Sequence, residues 1–364
     1  MQTLSLLRMS IAALACGLCL ALAPGAWAAG DFVGMSSLDS FAGTPAYRAQ
    51  SLQQQYGAGV RLLRQNFDWT TIERVPGRYE VTYYDEYVAA TARAGIHVMP
   101  VLFNSPKFHS SAPRRGALRY LYLPRSPRSM GRFAAFLVRR YGPSGSFWSS
   151  HPDVPKLPIH SWQIWNEPNL IFYAAPRPSA RRYTRLLRTV SRYIKKADTS
   201  AEVVTAGIPP SKLKGAIRLT RFVKGMYRAG AARGFDTLAV NAYALNSRDL
   251  SHTVRSVRRI MRRYHDGRSK LWITELGWAT SGPKHRFNVG FSQQGARIAS
   301  TFGWVARNRA RYNIRGVVYF QWRDQKPYPP AFKDMWGLHT GLLNIDGAAK
   351  PALQSFSAAA QSLR

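Results

Sequence analysis

The sequence is poor in cysteine. It has two, Cys16 and Cys19, both close to the N-terminus. With that leader removed, no thiol would remain. This would exclude disulfides, thiolate catalysis and cysteine-based metal sites. Acidic residues are also scarce: 18 Asp+Glu stand against 52 Lys+Arg, for a formal net charge of +34. Beyond the leader, no apolar run is long enough to cross a bilayer. Internal repeats and low-complexity tracts are absent. The eight histidines are scattered, with no His-Glu-x-x-His. No Gly-x-Ser-x-Gly elbow or Walker loop occurs, and no Gly-x-Gly-x-x-Gly turn follows the first strand. Neither a metal nor an organic cofactor is implied.

Residues 1–29 read as a secretory signal. Arg8 is their only charge, an apolar run extends from Ile11 to Ala23, and Ala26-Trp27-Ala28 is a small-x-small ending. A membrane anchor would need a longer run with a basic flank after it. Apolar sequence continues past both cysteines, which argues against lipid attachment there. The expectation is a secreted or extracytoplasmic protein whose residues 30–364 form one large domain.

Forty of the 52 basic residues are arginine. Such a field attracts polyanions: nucleic acid, anionic cell-envelope polymers, acidic glycans or membrane surfaces. The alternative is charge that merely decorates solvated helix faces. The helix patterns favour a solvated or envelope-adhesive face over a nucleic-acid groove. In Ser179–Ala197, Tyr183, Leu186, Leu187, Val190 and Ile194 take one face, and Arg181, Arg182, Arg185, Arg188, Arg192, Lys195 and Lys196 the other. In Leu250–Tyr264, Val254, Val257, Ile260, Met261 and Tyr264 point inward. Arg255, Arg258, Arg259, Arg262 and Arg263 are expected to point out.

The chain alternates short β-rich runs with amphipathic helices. Strands are predicted at Asp31–Ser37, Val60–Asp68, Ile96–Asn104, Ile159–Glu167, Glu202–Ile208, Thr237–Tyr243, Leu271–Glu275 and Arg315–Trp322. Helices are predicted near Thr44–Tyr56, Tyr83–Ala94, Arg128–Tyr141, Ser179–Ala197, Leu219–Ala229, Leu250–Tyr264, Phe291–Arg311 and Ala352–Ser362. Eight such units indicate the α/β class and a (β/α)8 TIM barrel. An open doubly wound sheet is the competitor. Long loops at Ser105–Pro127 and Arg323–Gly337 are expected to wall the mouth, the second carrying Tyr328, Phe332 and Trp336.

Trp162-Gln163-Ile164-Trp165-Asn166-Glu167-Pro168-Asn169 starts apolar and ends in an amide, a carboxylate and a proline. The proline cannot extend a ladder, so the strand should stop near Glu167. Lys270-Leu271-Trp272-Ile273-Thr274-Glu275-Leu276-Gly277-Trp278 places a second carboxylate, Glu275, after another strand. Barrels hold their chemistry at this end of the strands. Each glutamate alone has a blander reading, a salt bridge to one of the many arginines; two of them in this setting argue for a catalytic pair.

Trp165-Asn166-Glu167-Pro168-Asn169-Leu170 resembles the fourth-strand motif of clan A glycoside hydrolases, closest to families 39 and 5. Ile273-Thr274-Glu275-Leu276-Gly277-Trp278 resembles their seventh-strand motif. The resemblance implies a retaining glycosidase acting on an oligo- or polysaccharide, with Glu167 as acid/base and Glu275 as nucleophile. It implies supporting roles for Arg64 in the second strand, Tyr243 at the end of the sixth and the sugar-stacking Trp322 at the end of the eighth. Asn166 would contact a sugar 2-hydroxyl. Asn104 and Asn241 stand where family 5 members often have histidine, which touches substrate contacts rather than the pair. Arg64 has two possible partners, Glu275 or a core carboxylate such as Asp68. Trp69, Trp165, Phe172, Tyr173 and Trp278 also fall at or after strand ends, where a ring can be subsite or core. The long loops lean towards a cleft and endo action, and the charge towards an acidic glycan. A non-catalytic carbohydrate-binding barrel and a polyanion binder are the alternatives.

Overall fold

The computed structural model describes residues 29–113, 119–327 and 333–363. The proposed leader, with Arg8, Cys16 and Cys19, lies outside them except for its last residue, and so do Tyr328 and Phe332. Eight parallel strands form a closed barrel in chain order: β1 Val33–Ser36, β2 Leu62–Asp68, β3 His97–Phe103, β4 Ser161–Ile164, β5 Glu202–Thr205, β6 Thr237–Asn241, β7 Lys270–Glu275 and β8 Ile314–Phe320. β8 closes on β1 through Val33↔Val317 to Ser36↔Phe320. The open-sheet alternative is set aside. All eight predicted strands are present; six are trimmed at their ends, β7 gains Lys270, and β8 starts at Ile314 and ends at Phe320.

The strands are buried on both faces, as a parallel sheet covered by helices requires. Alternation sends one face inward. Leu62, Met99, Val204, Ala239, Trp272 and Val318, from six strands, form the packed barrel interior. The outward face meets the helices in one continuous core. At the N-terminal end of the barrel Arg315 holds Asp31 at 2.7 and 2.9 Å and Glu202 at 3.4 Å, all three largely buried.

The helices start where capping side chains allow. Ser179 Oγ accepts from Arg182 N, opening Ala180–Ala197. Asn246 Oδ1 accepts from Asp249 N, so the helix expected from Leu250 begins three residues earlier and spans Ser247–Arg263. The helix begun at Phe291 ends at Asn308. Apolar and basic faces fall as the 3.6-residue period requires, with one correction. Arg258, expected to face out, is buried. Its guanidinium donates to the carbonyls of Tyr312 (2.6 Å), Ser269 (2.6 Å) and Asn313 (2.9 Å). These carbonyls lie just before the starts of β7 and β8, and a fork of five donors reaches all three. Among the described residues no helix is long and apolar enough to cross a membrane.

Candidate active site

β4 ends at Ile164, three residues before the expected stop, because Trp165 takes a left-handed backbone (φ 72°). Glu167 (φ 42°) and Asn104 (φ 64°) share that region. Each such non-glycine residue costs about 1–3 kcal/mol and persists where surroundings over-determine it. Here they do. Trp165 N donates to Leu102 O at 2.9 Å and Trp165 Nε1 to Tyr173 O at 2.6 Å. Glu167 N donates to Gly207 O, and Asn169 Nδ2 donates to Pro209 O and Ile217 O. The Asn-Glu-Pro-Asn segment is therefore clamped on both sides, which fixes where the carboxylate points.

β7 ends on Glu275. One of its oxygens accepts from Arg64 Nη1 at 2.8 Å, and the other from Tyr243 Oη at 2.7 Å. Arg64 also donates through Nε to Gln163 Oε1 (2.7 Å) and through Nη2 to Asn166 Oδ1 (2.9 Å). The sequence left Arg64 with two possible partners, and the structure pairs it with Glu275. Asp68 is held by Asn104 Nδ2 (2.7 Å) and by Thr70.

Asn241 joins the two carboxylates' surroundings. Its Nδ2 donates to Glu167 Oε1 at 2.8 Å and, at 3.4 Å, to Asn166 Oδ1. Thr274 Oγ1 donates to Asn241 Oδ1 at 2.8 Å, and that bond fixes which way the amide faces. The β6–β7 register shifts between Val240 and Asn241, bringing Asn241 opposite Glu275. Such irregularities re-aim side chains beside sites. A Cβ at Gly207 would collide with Asn241 Oδ1, so only glycine fits beneath this amide. An unbroken chain of hydrogen bonds thus runs Tyr243–Glu275–Arg64–Asn166–Asn241–Glu167.

The two glutamates sit in contrasting settings. Glu275 has a guanidinium and a phenol on its oxygens. Glu167 is pushed up to about 8, first by burial and then by the charge of Glu275, against the Asn241 hydrogen bond and Arg64. Tyr243 is pushed well above its usual value by burial and by Glu275. It therefore stays a donor. Tyr173 is raised by burial and by both carboxylates, so it lies within their field.

Other predicted residues are placed as follows. Asn104 is at the end of β3 with its amide on Asp68. Trp322 is buried, 1% exposed, after β8, and its backbone N–H donates to Ser36 O. Trp278 is fully buried, its Nε1 donating to Ala244 O at 2.8 Å. Its place is the core, with no ring face open to solvent. Trp69 and Trp165 are likewise core, while Phe172 is 58% exposed.

Several neighbours escaped the sequence reading. Asn66 lies two residues beyond Arg64 on the inward face of β2 and is exposed. Strand alternation from Arg64 would have found it. Tyr243 packs edge-on to Trp336 (5.0 Å) and near Phe287 (6.0 Å) and Phe320 (6.3 Å), and His285 stacks on Trp336 at 5.0 Å. His285 and Phe287 come from the loop after β7, which carries no sequence signal for this packing.

No family model matches the chain, and no curated protein matches it. Solved structures do. A family 39 glycoside hydrolase from the gut symbiont Bacteroides cellulosilyticus WH2 superposes with TM-score 0.64 at 18% identity, covering 91% of this chain and 64% of that one. A family 39 β-xylosidase from Caulobacter crescentus gives 0.65 at 18% identity, over 90% and 70%. A family 5, subfamily 18 enzyme from Bifidobacterium longum subsp. longum gives 0.64 at 12% identity, over 91% and 78%. The chain thus spans under two thirds of the first neighbour's length. The shared feature is the (β/α)8 barrel fold.

Proposed function

We propose that the protein is an exported retaining glycoside hydrolase that cleaves an oligo- or polysaccharide by double displacement. The observation that carries this reading is the asymmetry of the carboxyl pair at the ends of β4 and β7. Glu275 is held by a guanidinium on one oxygen and a phenol on the other, from Arg64 and Tyr243. Glu167 is buried and holds its proton to about pH 8. Retaining glycosidases need this division, with the two carboxyl groups ~5–5.5 Å apart.

In this mechanism Glu275 attacks the anomeric carbon while Glu167 protonates the departing oxygen. The bond to the leaving sugar breaks and an ester to Glu275 forms. Glu167, now ionised, takes a proton from water as that water attacks the anomeric carbon. The ester breaks, and both glutamates return to their starting states. Asn166 accepts from Arg64 and Asn241 on its oxygen, which leaves its amide N–H groups for a sugar 2-hydroxyl. Such a contact strengthens in an oxocarbenium-like transition state. Asn104 and the exposed Asn66 offer further polar contacts at the ends of β3 and β2, and Trp322 packs beneath them as a buried floor. The rings of Phe287, Phe320 and Trp336 around Tyr243 offer stacking faces beyond it. Residues 1–29 act as the export signal, and the net charge favours an acidic glycan or an anionic envelope polymer as target.

The neighbours include a β-xylosidase, a β-galactosidase and a glucosidase by name, so the fold accommodates different sugars. The test is therefore a panel of plant, microbial and envelope glycans, with new reducing ends read by mass spectrometry, run beside Glu167→Gln and Glu275→Gln. Products that vanish in both variants support the reading, and their lengths assign endo or exo action. Products that persist in both variants would overturn it.

A further inference from the structure

A second feature lies on the flank of the barrel, away from the glutamates. The helices Ala180–Ala197 and Leu219–Arg228 pack side by side, and an open groove of about 1140 Å³ runs along them. Arg181, Arg182, Arg185, Arg188, Arg192 and Arg228 line it, and all six are exposed. Residues 181, 185, 188 and 192 fall on one stripe of the helix. That sets one guanidinium per turn, about 5.4 Å apart, over roughly 16 Å.

The lining contains no acidic side chain. Among the described residues, no ion pair involves Arg181, Arg185, Arg188, Arg192 or Arg228. This contrasts with Arg64, Arg140 and Arg315, which each meet carboxylates. A row of mutually repelling cations lowers its energy when an anion of matching spacing lies along it. The lining is otherwise Ala180, Thr189, Gly225 and Ala229, without an aromatic ring. Single-stranded nucleic-acid grooves pair cations with rings on which bases stack. This groove has the charge without the stacking platform. Both helices follow their strands, so their N-terminal ends lie at the catalytic face and the stripe leads away from the mouth.

We propose that this groove is an accessory binding surface for a linear acidic polysaccharide, carrying carboxylate or sulfate groups. It goes beyond the proposed catalysis and stands whether or not the glutamates turn a glycan over.

The test uses the full chain bearing Glu275→Gln, so that no probe is consumed. Binding of polygalacturonate (carboxylate), heparin (sulfate) and an oligothymidylate of matched charge is measured at about 0.15 M salt. Three variants are compared. One changes Arg181, Arg185, Arg188 and Arg192 to Gln. A second changes the same four to Lys. A third changes Arg74, Arg78, Arg128 and Arg139, exposed elsewhere, to Gln. Exposed ion pairs each contribute severalfold at most, so losing four should weaken binding by about tenfold or more. The expected result is that loss on at least one acidic glycan in the first variant only, with most binding kept in the lysine variant. Which of the two glycans responds tells carboxylate from sulfate. Equal losses in the first and third variants would mean that net charge alone acts, and would overturn the proposal. So would oligothymidylate binding as tight as either glycan, or no binding to either.

Discussion

Replacing Glu167 by glutamine removes a titrating proton and little else. Glu167 stands at about 8 in the fold against 4.5 for the free side chain, with burial the larger cause and Glu275 the second. Two consequences follow from that one shift. The first is kinetic. General acid catalysis contributes typically ~10²–10⁴-fold, so glutamine should cost about that factor on natural glycosides. A leaving group that departs without a proton, such as a nitrophenolate, should suffer much less in the bond-breaking step. The basic limb of kcat/KM near pH 8 should disappear with the carboxyl. The second consequence is on stability. The folded-state value is raised, so the native protein retains a proton between about pH 4.5 and 8 that the unfolded chain has released. The stabilisation this provides is complete below the unfolded value and is lost as pH rises through about 8. At 1.36 kcal/mol per unit the rise is bounded at ~5 kcal/mol. Water at the mouth screens the pair, so ~2 kcal/mol is the expected size. The glutamine variant lacks this loss. Urea unfolding at pH 5 and pH 8 should therefore show its stability relative to wild type rising by ~2 kcal/mol. An unchanged stability difference, together with a basic limb that survives in the variant, would refute the protonated-Glu167 argument.

Asn241→Ala removes the hydrogen bond that pulls Glu167 down. The basic limb of kcat/KM should move to higher pH and the plateau should fall roughly 10-fold or more, as expected for a bond to an ionisable group; a limb that stays in place would show that Asn241 does not act on Glu167. Arg315→Leu leaves Asp31 and Glu202 buried beneath the barrel without their cation. Breaking such a pair costs about 3–5 kcal/mol, read as a lower urea midpoint, and a loss below ~1 kcal/mol would mean the cluster is solvated.

The architecture was legible in the sequence because it rests on local periodicity. Short apolar runs and period-3.6 helices alternate eight times, which indicates a parallel sheet covered by helices; that the sheet closes is seen in the pairing of β8 with β1. Glu167 and Glu275 were legible for a similar reason, since each follows a run of apolar strand and precedes a residue that ends or turns it. What periodicity does not encode is which distant groups meet. Arg64 reaches Glu275 across 211 positions and Asn241 reaches Glu167 across 74, contacts set by the stagger of the closed barrel. The high proton affinity of Glu167 depends on that closure too, because burial and the nearness of Glu275 exist only in the fold. Helical spacing placed Arg258 outside, yet loop carbonyls from two other segments draw it in. Trp278 has the sequence position of a mouth residue, yet its ring is packed against the chain after β6. Local pattern thus determined the scaffold and the two carboxylates, and three-dimensional proximity alone decided their partners and the raised proton affinity of Glu167.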